Sequence, residues 1–136
     1  MKSKNASILL IAKPGYRRNS ISTSLHSIPA VGLSIADGKS SGSQLLRSLN
    51  PAIILIESTS MNGADCRDFC QFIRRDFPQS QCYLLVDMDK INREISYEYF
   101  DGFIHTNRSA YEFVEAVKSL VIQPEKIDQA PVQATI

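Results

Sequence analysis

Five polar or charged residues each come directly after a short apolar run: Lys13, Asp37, Glu57, Asp87 and Thr106. If the apolar runs are parallel strands, their carboxyl ends meet at one edge of the sheet, where ligand chemistry collects in such folds. Carboxylates at neighbouring strand ends repel each other, and a cation between them would offset that repulsion. Two interpretations of Lys13 stay open: its ammonium pairs with Glu57 or Asp87, or it points into water.

A second pattern fails as a catalytic signal. Gly38-Lys39-Ser40 matches the end of a phosphate-binding loop, but that motif needs a glycine five residues before Gly38. Leu33 occupies that position. The sequence shows no other nucleotide-binding loop and no catalytic constellation, so we predict that the protein is not an enzyme and uses no cofactor.

The potential metal ligands are few and poorly spaced. Cys66, Cys70 and Cys82 show no spacing typical of zinc sites, and neither His26 nor His105 has a second histidine or cysteine at ligand distance along the chain. We therefore predict no metal site and structural roles for both histidines. The cysteines are predicted to be buried, reduced thiols, with a redox pair of Cys66 and Cys70 as the alternative.

Composition limits the class of protein. The chain has 136 residues, of which 43% are apolar and 21% charged, close to the averages of globular proteins. A net charge of +1 gives no support to non-specific nucleic-acid binding by charge alone. The apolar run 8–12 is too short for a signal peptide, and no run approaches the roughly 20 residues of a membrane span. We expect a cytoplasmic protein.

Apolar runs and helical periodicity alternate along the chain. The predicted strands are Ser7–Ala12, Val31–Ala36, Pro51–Glu57, Cys82–Val86 and Gly102–His105. The predicted helices are Tyr16–Ile28, Ser43–Leu49, Cys66–Phe77, Ile91–Phe100 and a final helix that follows Ser109. Ser41 with Gln44, and Ser109 with Glu112, are possible capping boxes at helix starts.

Five strand and helix pairs in alternation predict one α/β domain over residues 1–122. We expect a flavodoxin-like, doubly wound parallel sheet of five strands in the order 2-1-3-4-5, with five helices on its two faces. Residues 123–136 contain three Gln and two Pro without a periodic pattern, and we predict a flexible tail there.

Three segments resemble one known family. The strand 51–57 resembles the strand that carries the phospho-accepting aspartate in receiver domains of response regulators, and 61–65 resembles the loop after it. Segment 100–109 is similar to the fifth strand and following loop of receivers attached to LuxR-type DNA-binding domains. The resemblance covers about residues 7 to 122 and implies a signalling role.

The chain departs from that family at the positions that bind metal and accept phosphate. The resemblance places an acidic pair where this chain has Ala12 and Lys13, which implies that the Mg²⁺ site is lost. The acceptor aspartate becomes Glu57, or Ser58 if the following loop is aligned differently. Glu57 either imitates a phosphorylated aspartate or is a solvated loop acid.

The remaining positions of the family's switch are also changed. The hydroxyl residue after the fourth strand is replaced by Val86, and the small residue after it by Asp87, so an anion stands in the crevice. Thr106 replaces the lysine that neutralises phosphate. Phe103 occupies the aromatic switch position, although a buried aromatic in a strand is more often simply part of the core.

These changes predict a degenerate receiver, or pseudo-receiver, that acts by protein–protein interaction and cannot be phosphorylated on aspartate. Its partner surface is expected on the fourth helix, fifth strand and fifth helix, where it could also form a homodimer. Interface-type side chains there are Arg93, Tyr97, Tyr99 and Tyr111. No direct nucleic-acid or membrane contact is expected. Two alternatives stay open: an input domain of a transcription regulator whose DNA-binding domain is absent from this chain, and a flavodoxin-like small-ligand-binding protein.

Overall fold

The computed structural model describes residues 6–87, 97–106 and 109–122. In these ranges the chain forms one parallel sheet of five strands in the order β2-β1-β3-β4-β5. The strands are β1 Ala6–Ile11, β2 Val31–Ala36, β3 Ile53–Glu57, β4 Gln81–Val86 and β5 Gly102–His105. The sheet and its strand order are those predicted from the sequence.

The central strands are apolar along their whole length because helices cover both of their faces. Every residue of β3 is buried, and Ile8 and Leu10 of β1 lie beside Ile53 and Leu55 of β3 in the parallel register. Alternate residues point to opposite faces, so the sheet divides the core into two layers.

Four α-helices fall within the described ranges: α1 Tyr16–His26, α2 Lys39–Leu49, α3 Gly63–Asp76 and α4 Ala110–Ile122. Helices α1 and α4 pack on one face of the sheet, through residues such as Leu25 and Val117. Helices α2 and α3 pack on the other, through residues such as Leu46 and Phe69. This arrangement is the doubly wound architecture that the alternation of elements predicted.

The prediction of five helices is confirmed only in part. Of the predicted helix Ile91–Phe100, residues 91–96 lie outside the described residues, and Tyr97–Tyr99 form a short 3-10 helix instead of an α-helical turn. The predicted tail, 123–136, also lies outside the described residues. No helix of the described ranges is long and apolar enough to cross a membrane.

Two helices begin earlier than their apolar patterns predicted. The predicted capping box of Ser41 and Gln44 is wrong, because α2 already starts at Lys39 and Ser41 lies in its first turn. The Ser41 hydroxyl accepts hydrogen bonds from the backbone N–H groups of Asp37 and Gly38 instead. Helix α3 starts at Gly63 because the Asn62 side chain accepts a hydrogen bond of 2.7 Å from the backbone N–H of Asp65.

The capping box predicted for the last helix is confirmed. The hydroxyl of Ser109 accepts a hydrogen bond from the backbone N–H of Glu112 at 3.1 Å, and the Glu112 carboxylate accepts one from the backbone N–H of Ser109 at 3.4 Å. These bonds satisfy two of the N–H groups that a helix start leaves unpaired. They fix the start of α4 at the same edge of the sheet as the strand ends.

Candidate functional site

The carboxyl edge of the sheet brings together the strand-end residues that the sequence singled out. Glu57 is the last residue of β3, and Asp87 follows β4 directly. The first turn of α1 starts at the same edge, because α1 follows β1 after a short connection. Its two consecutive arginines, Arg17 and Arg18, are therefore within reach of the strand ends.

Arg17 joins the two acids of the central strands. Its Nη1 lies 3.1 Å from Oδ2 of Asp87, and its Nε lies 3.7 Å from Oε2 of Glu57. The side chains of Glu57 and Asp87 are only 4% and 15% exposed. Because a partly buried ion pair is screened less than a surface pair, the guanidinium offsets the repulsion of the two carboxylates effectively.

Glu57 is held from a second direction by its own loop. Its Oε1 accepts hydrogen bonds from the backbone N–H of Thr59 at 3.2 Å and from the Thr59 hydroxyl at 2.5 Å. A buried carboxylate needs such donors, since an unpaired one would cost several kcal/mol, roughly, in lost solvation. The interpretation of Glu57 as a solvated loop acid is therefore wrong.

Lys13 does not supply the cation. The residue is exposed, and within the described residues its ammonium has no ion pair. Arg17 takes the role that one of the two interpretations gave to Lys13, and the exposure of Lys13 agrees with the other. Arg17 is the second residue of α1, so the cation comes from the helix and not from the strand end.

Arg18 makes a separate and more exposed pair. Its Nη1 lies 2.7 Å from Oδ1 of Asp37, whose side chain is 70% exposed, and donates weakly to the backbone oxygen of Ala12 at 3.4 Å. Ala12 itself is buried. The two arginines thus bind the start of α1 to the ends of β2, β3 and β4.

Ser58, the alternative acceptor position, is also enclosed. It is 3% exposed, and its hydroxyl has no hydrogen-bond partner within the described residues. Its backbone N–H donates to the oxygen of Leu85 at 3.0 Å. The neighbouring Ser60 hydroxyl donates to the backbone oxygen of Glu57 at 2.6 Å, which fixes the loop after β3.

The positions on β4 and β5 offer little to a phosphoryl group. Val86 is buried, and the Thr106 hydroxyl donates to the backbone oxygen of Val86 at 3.4 Å. Phe103 is 39% exposed and meets the His105 ring edge to face, with centroids 5.5 Å apart. The expectation that Phe103 is simply a core residue is therefore wrong.

The histidines and the predicted interface residues differ in their surroundings. His26 ends α1, with Nδ1 3.0 Å from the backbone oxygen of Ser22, while the Nδ1 of the half-buried His105 has no partner among the described residues. Tyr99 packs partly against the core, and Tyr111 is 72% exposed. Arg93 and the side chain of Tyr97 lie outside the described residues.

The residues at this edge do not fit a magnesium ion. Hard cations take oxygen ligands, and after β1 the chain offers the apolar Ala12 and the cationic Lys13. Among the described acids at this edge, Glu57 and Asp87 are paired with Arg17, and Asp37 is paired with Arg18. No cluster of three His, Cys, Asp or Glu able to hold a metal occurs in the described part of the chain.

The fold is that of response-regulator receiver domains. The signal receiver domain of the response regulator NarL from Mycobacterium tuberculosis matches with a TM-score of 0.70 and 17% identity, over 87% of this chain and 97% of that one. A receiver domain of an HD domain-containing protein from Pseudomonas fluorescens Pf-5 matches with a TM-score of 0.72 and 16% identity, over 96% of this chain and 97% of the other.

A third match is longer than this chain. It is a member of a family of redox sensors in the streptococci that evolved from two-component response regulators, with a TM-score of 0.74 and 16% identity, over 96% of this chain and 57% of that one. No protein-family model and no curated protein sequence matches. At these identities the likeness shows the fold, and it confirms the receiver architecture predicted from the sequence.

Proposed function

We propose that the chain is a cytoplasmic receiver-like signalling module that acts by binding a protein partner and accepts no phosphoryl group. The observation that carries the proposal is the guanidinium of Arg17, which bridges Glu57 and Asp87. Phosphoryl transfer depends on positioning and on cations that neutralise the transferred group. Here a tethered cation already neutralises the acids of the site, and the apolar Val86 stands beside them.

A phosphorylation assay tests the proposal directly. The full chain is incubated with acetyl phosphate and Mg²⁺, beside a phosphorylatable receiver domain as positive control, and the intact mass is measured. We expect the control to gain one phosphate and this chain to gain none. The variant Glu57→Asp restores only the acceptor, and because the acidic pair and the lysine are still missing, it should stay unmodified too. A stable phosphate on Glu57 or Ser58 would contradict the proposal.

We further propose that the partner surface is formed by β5 and α4, with a second copy of the chain as the partner. Phe103 on β5 and Tyr111 at the start of α4 expose aromatic side chains, a type enriched in protein interfaces. Most of the predicted fourth helix, which would complete this surface, lies outside the described residues (91–96).

Sedimentation velocity over a range of protein concentrations tests the homodimer. We expect association that Tyr111→Ala weakens. Tyr16→Ala is the matched control, because Tyr16 is also an exposed tyrosine at a helix start, 84% exposed, but lies on α1. A monomer at every concentration, or equal weakening by both variants, would rule out this surface as a homodimer interface.

A further inference from the structure

The three cysteines lie in the layer of the core between α3 and the sheet, and two of them, Cys70 and Cys82, border a cavity on the side away from the candidate site. Cys66 and Cys70 lie on α3, and Cys82 is the second residue of β4, close to the amino edge of the sheet. All three are free thiols, buried in the same layer of the core. Residues far apart in the sequence thus form one cluster of nucleophiles that the proposed signalling site does not use.

A cavity of about 160 Å³ gives access to two of these thiols. Its walls include Cys70, Cys82, Arg74, Tyr99 and Asp101, whereas Cys66 does not line it. The volume exceeds what one water molecule needs, so a small polar molecule can enter. Cys70 and Cys82 therefore share a space that a small reagent can reach.

Hydrogen bonds hold the wall of the cavity in place beside Cys82. The backbone N–H of Cys82 donates to Oδ2 of Asp101 at 2.8 Å, and the backbone N–H of Asp101 donates to the Cys82 oxygen at 2.8 Å. Arg74 donates to the backbone oxygen of Tyr99 at 3.0 Å and lies 3.9 Å from Oδ1 of Asp101. The cavity is a built feature that joins α3, β4 and the chain just before β5.

Helix geometry decides which thiols can bond. Cys66 and Cys70 are four residues apart on α3, and side chains at that spacing have Cβ atoms about 5–6 Å apart, more than the 3.5–4.5 Å or so of a disulfide. A bond between them would distort the helix. Cys82 faces Cys70 from the sheet, where no helical spacing holds the two residues apart.

The environment of Cys70 agrees with a position between the other two thiols. A hydrogen bond with Cys66 lowers the pKa of Cys70, but a hydrogen bond with Cys82 together with burial outweighs it and raises that pKa well above its ordinary value. The positive charge of Arg74 acts in the opposite direction and lowers the pKa of Cys70. Cys70 and Cys82 line the same cavity. The Cys70 thiol is protonated in most molecules at neutral pH, and the cation of Arg74 favours the thiolate in the rest.

We propose that Cys70 and Cys82 form a disulfide when a small peroxide enters this cavity. The Cys70 thiolate attacks one peroxide oxygen, the O–O bond breaks, and the sulfur becomes a sulfenic acid while the other oxygen leaves as water after taking up a proton. The sulfur of Cys82 then attacks the sulfenic sulfur, the S–S bond forms, and a second water leaves. Two thiols lose two electrons and two protons, and one hydrogen peroxide is reduced to two waters.

The bond would link α3 to β4 beside the segment that leads into β5. Since Asp101 binds both backbone groups of Cys82, a shift of Cys82 toward α3 would be passed to residues 99–102. Oxidation at one end of the sheet could thus alter a surface that is remote from Arg17 and Glu57. The step needs the thiolate, so its rate should rise with pH.

Thiol counting on the full chain tests the proposal. The protein is treated with excess hydrogen peroxide, denatured, labelled with iodoacetamide and weighed intact, and the disulfide is then located by peptide mapping. We expect the label to fall from three thiols to one, with Cys66 labelled, and dithiothreitol to restore all three. Three labels after oxidation, a bond that contains Cys66, a covalent dimer or a loss that dithiothreitol does not reverse would each overturn the proposal.

Serine variants assign the disulfide to its two cysteines without peptide mapping. Cys66→Ser is the matched control, because it removes a thiol of the same cluster and should still lose both remaining labels on oxidation. Cys70→Ser should keep two labels, because it removes the thiol that attacks the peroxide, whereas Cys82→Ser should keep one label, on Cys66, and carry Cys70 as a sulfenic acid. Equal behaviour of the three variants would exclude Cys70 and Cys82 as a specific pair, and the wild-type mapping decides the matter if any variant fails to fold.

Discussion

Replacing Arg17 with alanine should lower the free energy of unfolding by about 2–3 kcal/mol at neutral pH, because it leaves a buried carboxylate without its cation. Glu57 would keep only the hydrogen bonds from Thr59 among the described residues. The cost should stay below the upper range for fully buried pairs, since the Arg17 side chain is itself 33% exposed. Urea unfolding followed by circular dichroism measures the change.

The neighbouring arginine provides the matched control. Arg18→Ala removes the same side chain from the next position of α1, but its partner Asp37 is exposed, so we expect a loss below about 1 kcal/mol. The double variant Arg17→Ala with Glu57→Gln should recover part of the loss, because the glutamine oxygen still accepts from Thr59 and the unpaired charge is gone. If Arg17→Ala proves as stable as Arg18→Ala, the bridge has no structural role at this edge.

The strands could be predicted from the sequence because burial on two faces leaves a strong local signal. Runs such as Ile53–Ile56 are continuously apolar, and a parallel sheet covered by helices is the usual way to bury them. The first residues of the helices were harder to predict from the sequence. Gly38 precedes α2 and has no side chain that could cap the helix. The hydroxyl of Ser41, three residues later, accepts a hydrogen bond from the Gly38 backbone N–H instead, and this arrangement has no simple sequence pattern.

The site was predicted in its position but not in its chemistry. Strand ends located Glu57 and Asp87 correctly, since topology alone brings them to one edge. The cation was missed because a guanidinium reaches several ångströms from its backbone, so the residue that fills a crevice need not be the one that ends a strand. A helix that follows a strand directly, with Arg17 and Arg18 in its first turn, is the signal that could have indicated it.

The exposure of the side chains on β5 was also difficult to predict from the sequence. Phe103 lies in a strand and was expected to pack into the core, but β5 is an edge strand, and the ring is partly exposed there against His105. Strand periodicity predicts which residues share a face of the sheet. Whether that face is buried depends on which other elements of the chain pack against it. Tertiary packing, and not propensity, decided the exposure of this residue.

Alkaline pH should destabilise this protein strongly, because three of its buried acids hold their protons more tightly in the folded state. A hydrogen bond with Cys70 and burial raise the pKa of Cys66 far above its ordinary value, and the pKa of Cys70 is raised as well. Burial raises the pKa of Tyr83 to about 12, with further contributions from Asp101 and Cys82. All three side chains are less than a tenth exposed.

The direction follows from proton counting. In the unfolded state cysteine and tyrosine lose their protons near pH 8.5 and 10, roughly, whereas the folded groups keep theirs. Above those pH values the unfolded state therefore binds fewer protons than the folded state. The free energy of unfolding then falls as the pH rises. Each group contributes up to about 1.4 kcal/mol per pH unit while it is ionised in the unfolded state and protonated in the folded state, so the fall due to the thiols begins near pH 8.5, roughly. The fall due to Tyr83 begins near pH 10 and ends near its folded pKa of about 12. A typical domain is stable by only about 5–15 kcal/mol, so a slope of this size is measurable.

Urea unfolding at a series of pH values from neutral to strongly alkaline measures the effect. The double variant Cys66→Ala with Cys70→Ala should be less stable at neutral pH, because it loses buried sulfur, but its stability should fall less steeply with pH. Tyr83→Phe should flatten only the most alkaline part of the curve, and Tyr111→Phe, at an exposed tyrosine, should leave the slope as it is in the wild type. If the cysteine variant loses stability as steeply as the wild type, titration of the thiols does not drive the alkaline transition.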